Sequence, residues 1–248
     1  MKIGTNSGFL MKCGMSFIDM VRFVKECGAN SFELSFRYSE ELLNFELTYE
    51  IVELLSSFNY LSIHAPFDPV ENPRYRNDEF GQKIVLKLKD LVDRLPIEGI
   101  VFHPNNIDDF DFLAGIGLPI LIENMDIRKN GFKNLDDISK LKDKYDFGFV
   151  LDVEHAFEND PSMELTRDLI GVMGDRLEEV HISGAKSDKP MSVGKNNHCL
   201  LSESEYRDKL LGILREVGDV SIILEGMAKE DSREVLKSEL NYISEALE

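Results

Sequence analysis

All five histidines of this 248-residue chain stand where a metal ligand is useful. His64, His103, His155 and His181 close or just follow apolar runs, and His198 lies in the loop after the last of these. Three carboxylates, Glu123, Asp152 and Glu225, end similar runs. Imidazole and carboxylate are the ligands of zinc and manganese, so the set has the chemistry of a cation cluster. Its members are spread from position 64 to position 225, and only the fold can gather them.

The segment LDVEHAF poses the question most sharply. A buried strand that ends in Asp152 needs a cation or hydrogen-bond donors to offset the desolvated charge. A metal held with His155 meets that need; so does a plain helix cap, with His155 packed in the first turn. The same two readings stand at IENM (Glu123), VHISG (His181) and ILEG (Glu225), and their recurrence favours the metal. His64 in YLSIHAPF and His103 in GIVFHPN form a matched pair, each followed by a proline that stiffens the turn.

The elements that must position these residues alternate from end to end. Short apolar runs mark eight strands: Lys2 to Thr5, Ser31 to Ser35, Tyr60 to His64, Gly99 to His103, Pro119 to Glu123, Gly148 to Asp152, Glu179 to Ile182 and Val220 to Glu225. Amphipathic stretches lie between them. Ser16 is placed to cap FIDMVRFVKE and Ser39 to cap EELLNFEL, Ser202 with Glu205 reads as a capping box, and Pro161 suits the first turn of a helix after Asp160. Further helices are expected over about Gly81 to Leu95, Leu135 to Tyr145 and Ser232 to Leu247. With no linker or composition shift, the chain reads as one α/β domain, residues 1–248. An open doubly wound sheet usually brings a Gly-rich turn after its first strand, of which GTNSGF is a poor version. The expectation is a single (β/α)8 TIM barrel with the metal site at the C-terminal ends of its strands.

In order along the chain, HAPFDPVENP, FHPN, IENM, LDVEHAF, HISGAKS, Asn196-x-His198 and ILEG resemble the motifs of the endonuclease IV family. That family comprises apurinic/apyrimidinic endonucleases within the xylose-isomerase-like barrel superfamily. The resemblance implies that His64, His103 and Glu123 hold one zinc and that Glu123 bridges to a second held by Asp152, His181 and Glu225. It also implies a third zinc on His155 and His198. Where the family has an aspartate this chain has Asn196, a neutral and poorer ligand, which leaves three alternatives for the third ion: weak binding, recruitment of Asp188 instead, or absence, so that two or three zinc ions are expected. The activity implied is zinc-dependent hydrolysis of a phosphodiester 5′ to abasic sites in DNA, as in base excision repair, by an activated water that Glu123 helps to orient.

Two other functions compete. A sugar or sugar-phosphate isomerase or epimerase of the same superfamily would use Glu123 and Glu225 as paired acid and base around one manganese or magnesium ion. A metal-binding regulatory protein would keep the fold without turnover. The formal net charge of −18 works against a polyanionic partner unless cations are gathered locally. Arg37, Arg74, Arg76, Arg128, Lys129, Lys133, Lys186, Lys189 and Lys195 follow strand ends and could supply them, with Tyr38 and Phe67 as surfaces for a base or sugar. Arg37, Tyr38, Phe67 and Lys186 are the substrate contacts expected. Acidic residues at the same end, Asp108, Asp109 and Asp111 and then Glu154, Glu158 and Asp160, favour a small phosphorylated sugar over DNA. Three scattered cysteines and a start, MKIGTNSGFLMKCG, without an apolar core predict a cytoplasmic protein, and no run is long enough to span a membrane.

Overall fold

Eight parallel strands close on themselves. The computed structural model describes residues 2–68, 73–189, 197–228 and 233–248, so Lys195 and Asn196 lie outside the described residues. In chain order the elements are β1 (Lys2–Asn6), α1 (Phe17–Glu26), β2 (Ser31–Ser35), α2 (Ser39–Asn44), α3 (Tyr49–Leu55), β3 (Tyr60–His64), α4 (Glu79–Arg94), β4 (Gly99–Phe102) and α5 (Phe110–Ala114). There follow β5 (Ile120–Glu123), α6 (Leu135–Lys144), β6 (Gly148–Asp152), α7 (Val153–Asn159), α8 (Glu164–Met173), β7 (Leu177–Ile182), β8 (Gly184–Ala185), β9 (His198–Cys199), α9 (Arg207–Gly212), β10 (Ser221–Leu224) and α10 (Arg233–Leu247). The barrel runs β1 to β7 in order and then β10, which pairs with β1. It is a TIM barrel.

Burial on both faces explains why the strands read as continuous apolar runs. Helices supply the outer layer: α4 buries Ile84, Val85, Leu88 and Leu91 against the sheet, each contributing about 1.5–3 kcal/mol over exposure. Ser16 caps α1 as its sequence predicts, accepting the Asp19 N–H. Ser39 does not cap α2; it is the first helical residue, and Glu41 reaches back to accept the N–H groups of Arg37 and Tyr38. Nor do Ser202 and Glu205 form a capping box. Ser202 sits in a 3-10 turn and donates its N–H to buried Glu239, so the next helix begins only at Arg207. Asp160 builds a turn with Ser162 and Leu165 that delays α8 to Glu164, beyond Pro161.

The barrel interior is divided. Val101, Leu121 and Val150 form an apolar cluster of their own, apart from the main core. Each lies two residues before His103, Glu123 or Asp152 and shares its face of the chain. On the opposite side the same level is polar. Glu33 on β2 approaches His181 on β7, strands that are not neighbours in the barrel, so both side chains point into its interior.

Candidate metal centre

Asp152 ends β6 and also caps α7. Its Oδ1 accepts the His155 N–H at 2.7 Å, whereas Oδ2 is buried with no hydrogen-bond partner. The cap therefore uses one oxygen, while the other lies 3.5 Å from His155 Nδ1, where the two can share a cation. Asn124 fixes where that oxygen lies: its side-chain amide accepts from the Asp152 N–H at 2.8 Å and donates to the Asp152 carbonyl at 2.9 Å, tying the ends of β5 and β6 together.

Glu123 stands at the middle of the mouth. Its Oε2 lies 3.3 Å from His64 Nε2 and 3.1 Å from His103 Nε2, while its Oε1 lies 3.1 Å from His155 Nδ1 and 4.0 Å from His181 Nδ1. His64 keeps Nε2 inward because Nδ1 bonds the Ala65 carbonyl. Glu225, just beyond β10, is held by the Asn6 amide and lies 3.4 Å from His181 Nδ1 and 3.9 Å from His198 Nδ1. Four groups result among the described residues: His64, His103 and Glu123; Glu123, Asp152 and His181; Asp152, Glu154, His155 and His198; and Glu33, Glu179 and His181. Within each, one donor atom per residue lies within 4.8 Å of all the others. The eight ligand residues expected from the sequence converge.

His198 arrives by a separate route. Gly184 and Ala185 pair antiparallel with Cys199 and His198, a two-residue ribbon above the end of β7, and Ser183 Oγ contacts His198 Nδ1 at 3.0 Å. Gly184 is required there, since a Cβ would lie 2.3 Å from the Leu200 carbonyl oxygen.

Sequence reasoning missed three acidic residues. Glu154, read as surface charge, is fully buried and lies 2.9 Å from His198 Nε2; it, rather than exposed Asp188, is the carboxylate joined to His155 and His198. Glu158 is buried as well and Asp160 is spent on its turn, so this loop does not present the negative face expected of it. Glu33 and Glu179 are the other two, both fully buried around His181. A signal for Glu179 was present, because it lies two residues before His181 and so faces the same way.

Charge and burial set the protonation of these groups. Burial pushes the Asp152 carboxyl up to about 7, and that of Glu33, likewise desolvated, up to about 7. Burial disfavours the His64 imidazolium, but Glu123 and Glu33 outweigh it and raise His64 to about 9; Glu154 does the same for His198, also to about 9. At His103 burial wins and lowers it to about 4. Glu123 is itself desolvated, yet His103, His155 and His64 hold it well below the usual carboxylate range. Together Glu33, Glu123, Asp152, Glu154, Glu179 and Glu225 place six acidic groups against five imidazoles. Buried charge of that kind must be paired or coordinate a metal, and here imidazoles and acids can pair with one another or share a cation. The nitrogen and oxygen donors, the unpartnered Asp152 Oδ2 and the unpartnered His181 Nδ1 all fit divalent cations.

Of the expected substrate contacts, Phe67 lies at the centre, its ring 4.7 Å from that of His64 and 5.3 Å from that of His103. Tyr38 is exposed beside Arg37, and Lys186 is exposed after the ribbon begins. Several rim cations already have acidic partners. Arg37 pairs with buried Asp68, Arg74 with Asp108, Arg76 with Asp78, and Arg128 with Asp126 and Glu158.

The sequence matches no protein-family model, and no curated protein is significantly similar to it. Solved structures are similar over the whole chain. Endonuclease IV from Thermus thermophilus is 17% identical with a TM-score of 0.71, covering 100% of this chain and 99% of that one. D-psicose 3-epimerase from Clostridium cellulolyticum is 12% identical with the same TM-score, covering 100% of both. The IolI protein, solved with a zinc atom, is 12% identical with a TM-score of 0.68, covering 99% and 96%. At such identities the likeness is one of fold: the chain has a barrel shared by an endonuclease, a sugar epimerase and a zinc-binding protein.

Proposed function

We propose that this protein is an enzyme, a zinc-dependent phosphodiesterase that cleaves DNA beside abasic sites. The observation that carries this reading is the number of ligand groups. Glu123, Asp152, His181 and Glu225 suffice for one cation, yet His64 and His103 meet the far oxygen of Glu123, and Glu154, His155 and His198 gather on the opposite side. His64 and His103 would hold one zinc with Glu123; Asp152, His181 and Glu225 would hold a second with the same Glu123; His155, His198 and Glu154 would hold a third.

Bound cations supply Lewis acidity, which polarises a phosphodiester and makes a water nucleophilic near neutral pH. The chain's own residues do the rest. Glu123, ringed by imidazoles, stays ionised and fixes the spacing of the two groups it joins. That environment suits a bridging ligand better than a carboxyl that must gain and lose a proton. Phe67 shields His64 and His103 from solvent on one side. Tyr38, Arg37 and Lys186 stand at the rim as contacts for the sugar–phosphate backbone. Three scattered cysteines suit a reducing cytoplasm, and no described helix is long and apolar enough to cross a membrane.

The test is incision of a duplex carrying a tetrahydrofuran abasic analogue by chelator-stripped protein reloaded with zinc, manganese or cobalt. Cleavage on the 5′ side of the lesion is expected; no incision with any of the three metals rejects the reading. One observation favours a second function, a sugar or sugar-phosphate epimerase or isomerase. The arginines at the rim are paired with acids, and the chain carries a net charge of −18, which suits a small substrate better than a polyanion. One metal atom per chain, with exchange of substrate C–H for deuterium, would establish it.

A further inference from the structure

We propose that Glu179 is a positioning residue: it fixes the His181 ring with its proton on Nε2 and so presents Nδ1 to the cation held with Glu123, Asp152 and Glu225. The inference rests on the cation centre, and not on which substrate that centre acts upon.

Glu179 and His181 are two residues apart on β7, so both point into the barrel, and both are fully buried. Glu179 Oε1 lies 2.6 Å from His181 Nε2, the spacing of a strong charge-assisted hydrogen bond. The other ring nitrogen, Nδ1, is buried without a hydrogen-bond partner, 3.4 Å from Glu225 Oε1 and 4.0 Å from Glu123 Oε1. One edge of the imidazole is therefore anchored and the opposite edge is left for a ligand bond. Glu33 approaches the anchored edge from across the barrel at 3.4 Å, which reserves that side for donation by the ring. A histidine cannot offer Nδ1 as a lone pair and keep the neutral state unless Nε2 carries the proton. A carboxylate behind a ligand histidine fixes that tautomer and raises the basicity of the ligand nitrogen. At this depth an ionised carboxylate without a donor costs several kcal/mol, and the His181 Nε2–H is the donor that Glu179 meets at hydrogen-bond distance, with Tyr60 also beside it.

The experiment uses the full chain loaded with zinc and compares it with Glu179→Leu and Glu179→Gln. Zinc affinity is read by chelator competition, the His181 ring state by long-range proton–nitrogen correlation, and folding by thermal unfolding. In the unsubstituted protein, zinc-shifted Nδ1 and a far-downfield Nε2–H are expected. Glu179→Leu should weaken zinc binding by about 10- to 100-fold. Glu179→Gln, whose amide oxygen still accepts from Nε2–H, should lose less and move the Nε2–H resonance upfield. A folded leucine variant with unchanged affinity and ring state overturns the proposal, and so does an unmoved Nε2–H in the glutamine variant, even if the leucine variant fails to fold. Zinc bound without a shift at His181 Nδ1 removes the cation assignment itself. Zinc-shifted Nδ1 in all three proteins with equal affinity removes only the role of Glu179.

Discussion

Replacing Asp152 with asparagine should make the metal-free protein more stable and the metal-loaded protein less so. Asparagine caps helices as well as aspartate does, so the bond to the His155 N–H persists. What disappears is a buried negative charge. Asp152 has its carboxyl pushed by burial to about 7 from an ordinary 3.8; at about 1.4 kcal/mol per pH unit this sets a ceiling near 4 kcal/mol on the cost of ionising it in the fold. The sign follows from the raised value. Below about 4 the carboxyl is protonated folded and unfolded, and the charge costs nothing; as pH rises towards 7 only the unfolded chain ionises freely, and folding is progressively penalised. Above 7 the full penalty is present. Urea unfolding of chelator-stripped protein at pH 5 and pH 8 should therefore show Asp152→Asn gaining stability over the unsubstituted chain, by about 2–3 kcal/mol more at the higher pH. Zinc should raise the unfolding temperature of the unsubstituted protein much more than that of the variant. Equal or lower stability of the metal-free variant at pH 8, or a gain independent of pH, would refute the reasoning.

Glu154→Gln should lower the zinc bound per chain by one atom, by element analysis after gel filtration, because it removes the anionic partner of His198; an unchanged stoichiometry would show that Glu154 only buttresses the loop. Protons should compete with metal: His64 and His198 are raised to about 9, so each must release a proton to bind a cation below that pH. Apparent zinc affinity by chelator competition should then rise with pH between about 6.5 and 8.5, by about tenfold per unit for each of the two imidazoles, and a flat profile would exclude them as ligands.

The strands were legible because each is short and largely buried on both faces, and because their spacing leaves room for a helical crossover. Their last residues were less so: β4 stops at Phe102 and β10 at Leu224, leaving His103 and Glu225 one residue beyond. Helices α5, α7 and α9 have 5, 7 and 6 residues, too few turns for a periodic signal. The false caps at Ser39 and Ser202 share a cause. A hydroxyl before an apolar run is a common pattern, and here carboxylates fix the chain at or just before each serine instead: Glu41 accepts the Arg37 and Tyr38 N–H groups, and Glu239 those of Leu201 and Ser202. In the site, histidines announced themselves by rarity, whereas Glu33, Glu154 and Glu179 were hidden by abundance in a chain with 46 acidic residues. Burial separates them from the solvated ones, and residue type does not encode burial.

Most of the ligands are rooted in the closed barrel, but His198 is delivered by a ribbon held to the rim by two residue pairs. On the proposed function, the number of ions held would then depend on an appendage. Exchange of that one segment would add or subtract a ligand while leaving the barrel's closure untouched, a route by which a single scaffold passes between chemistries that need different numbers of ions.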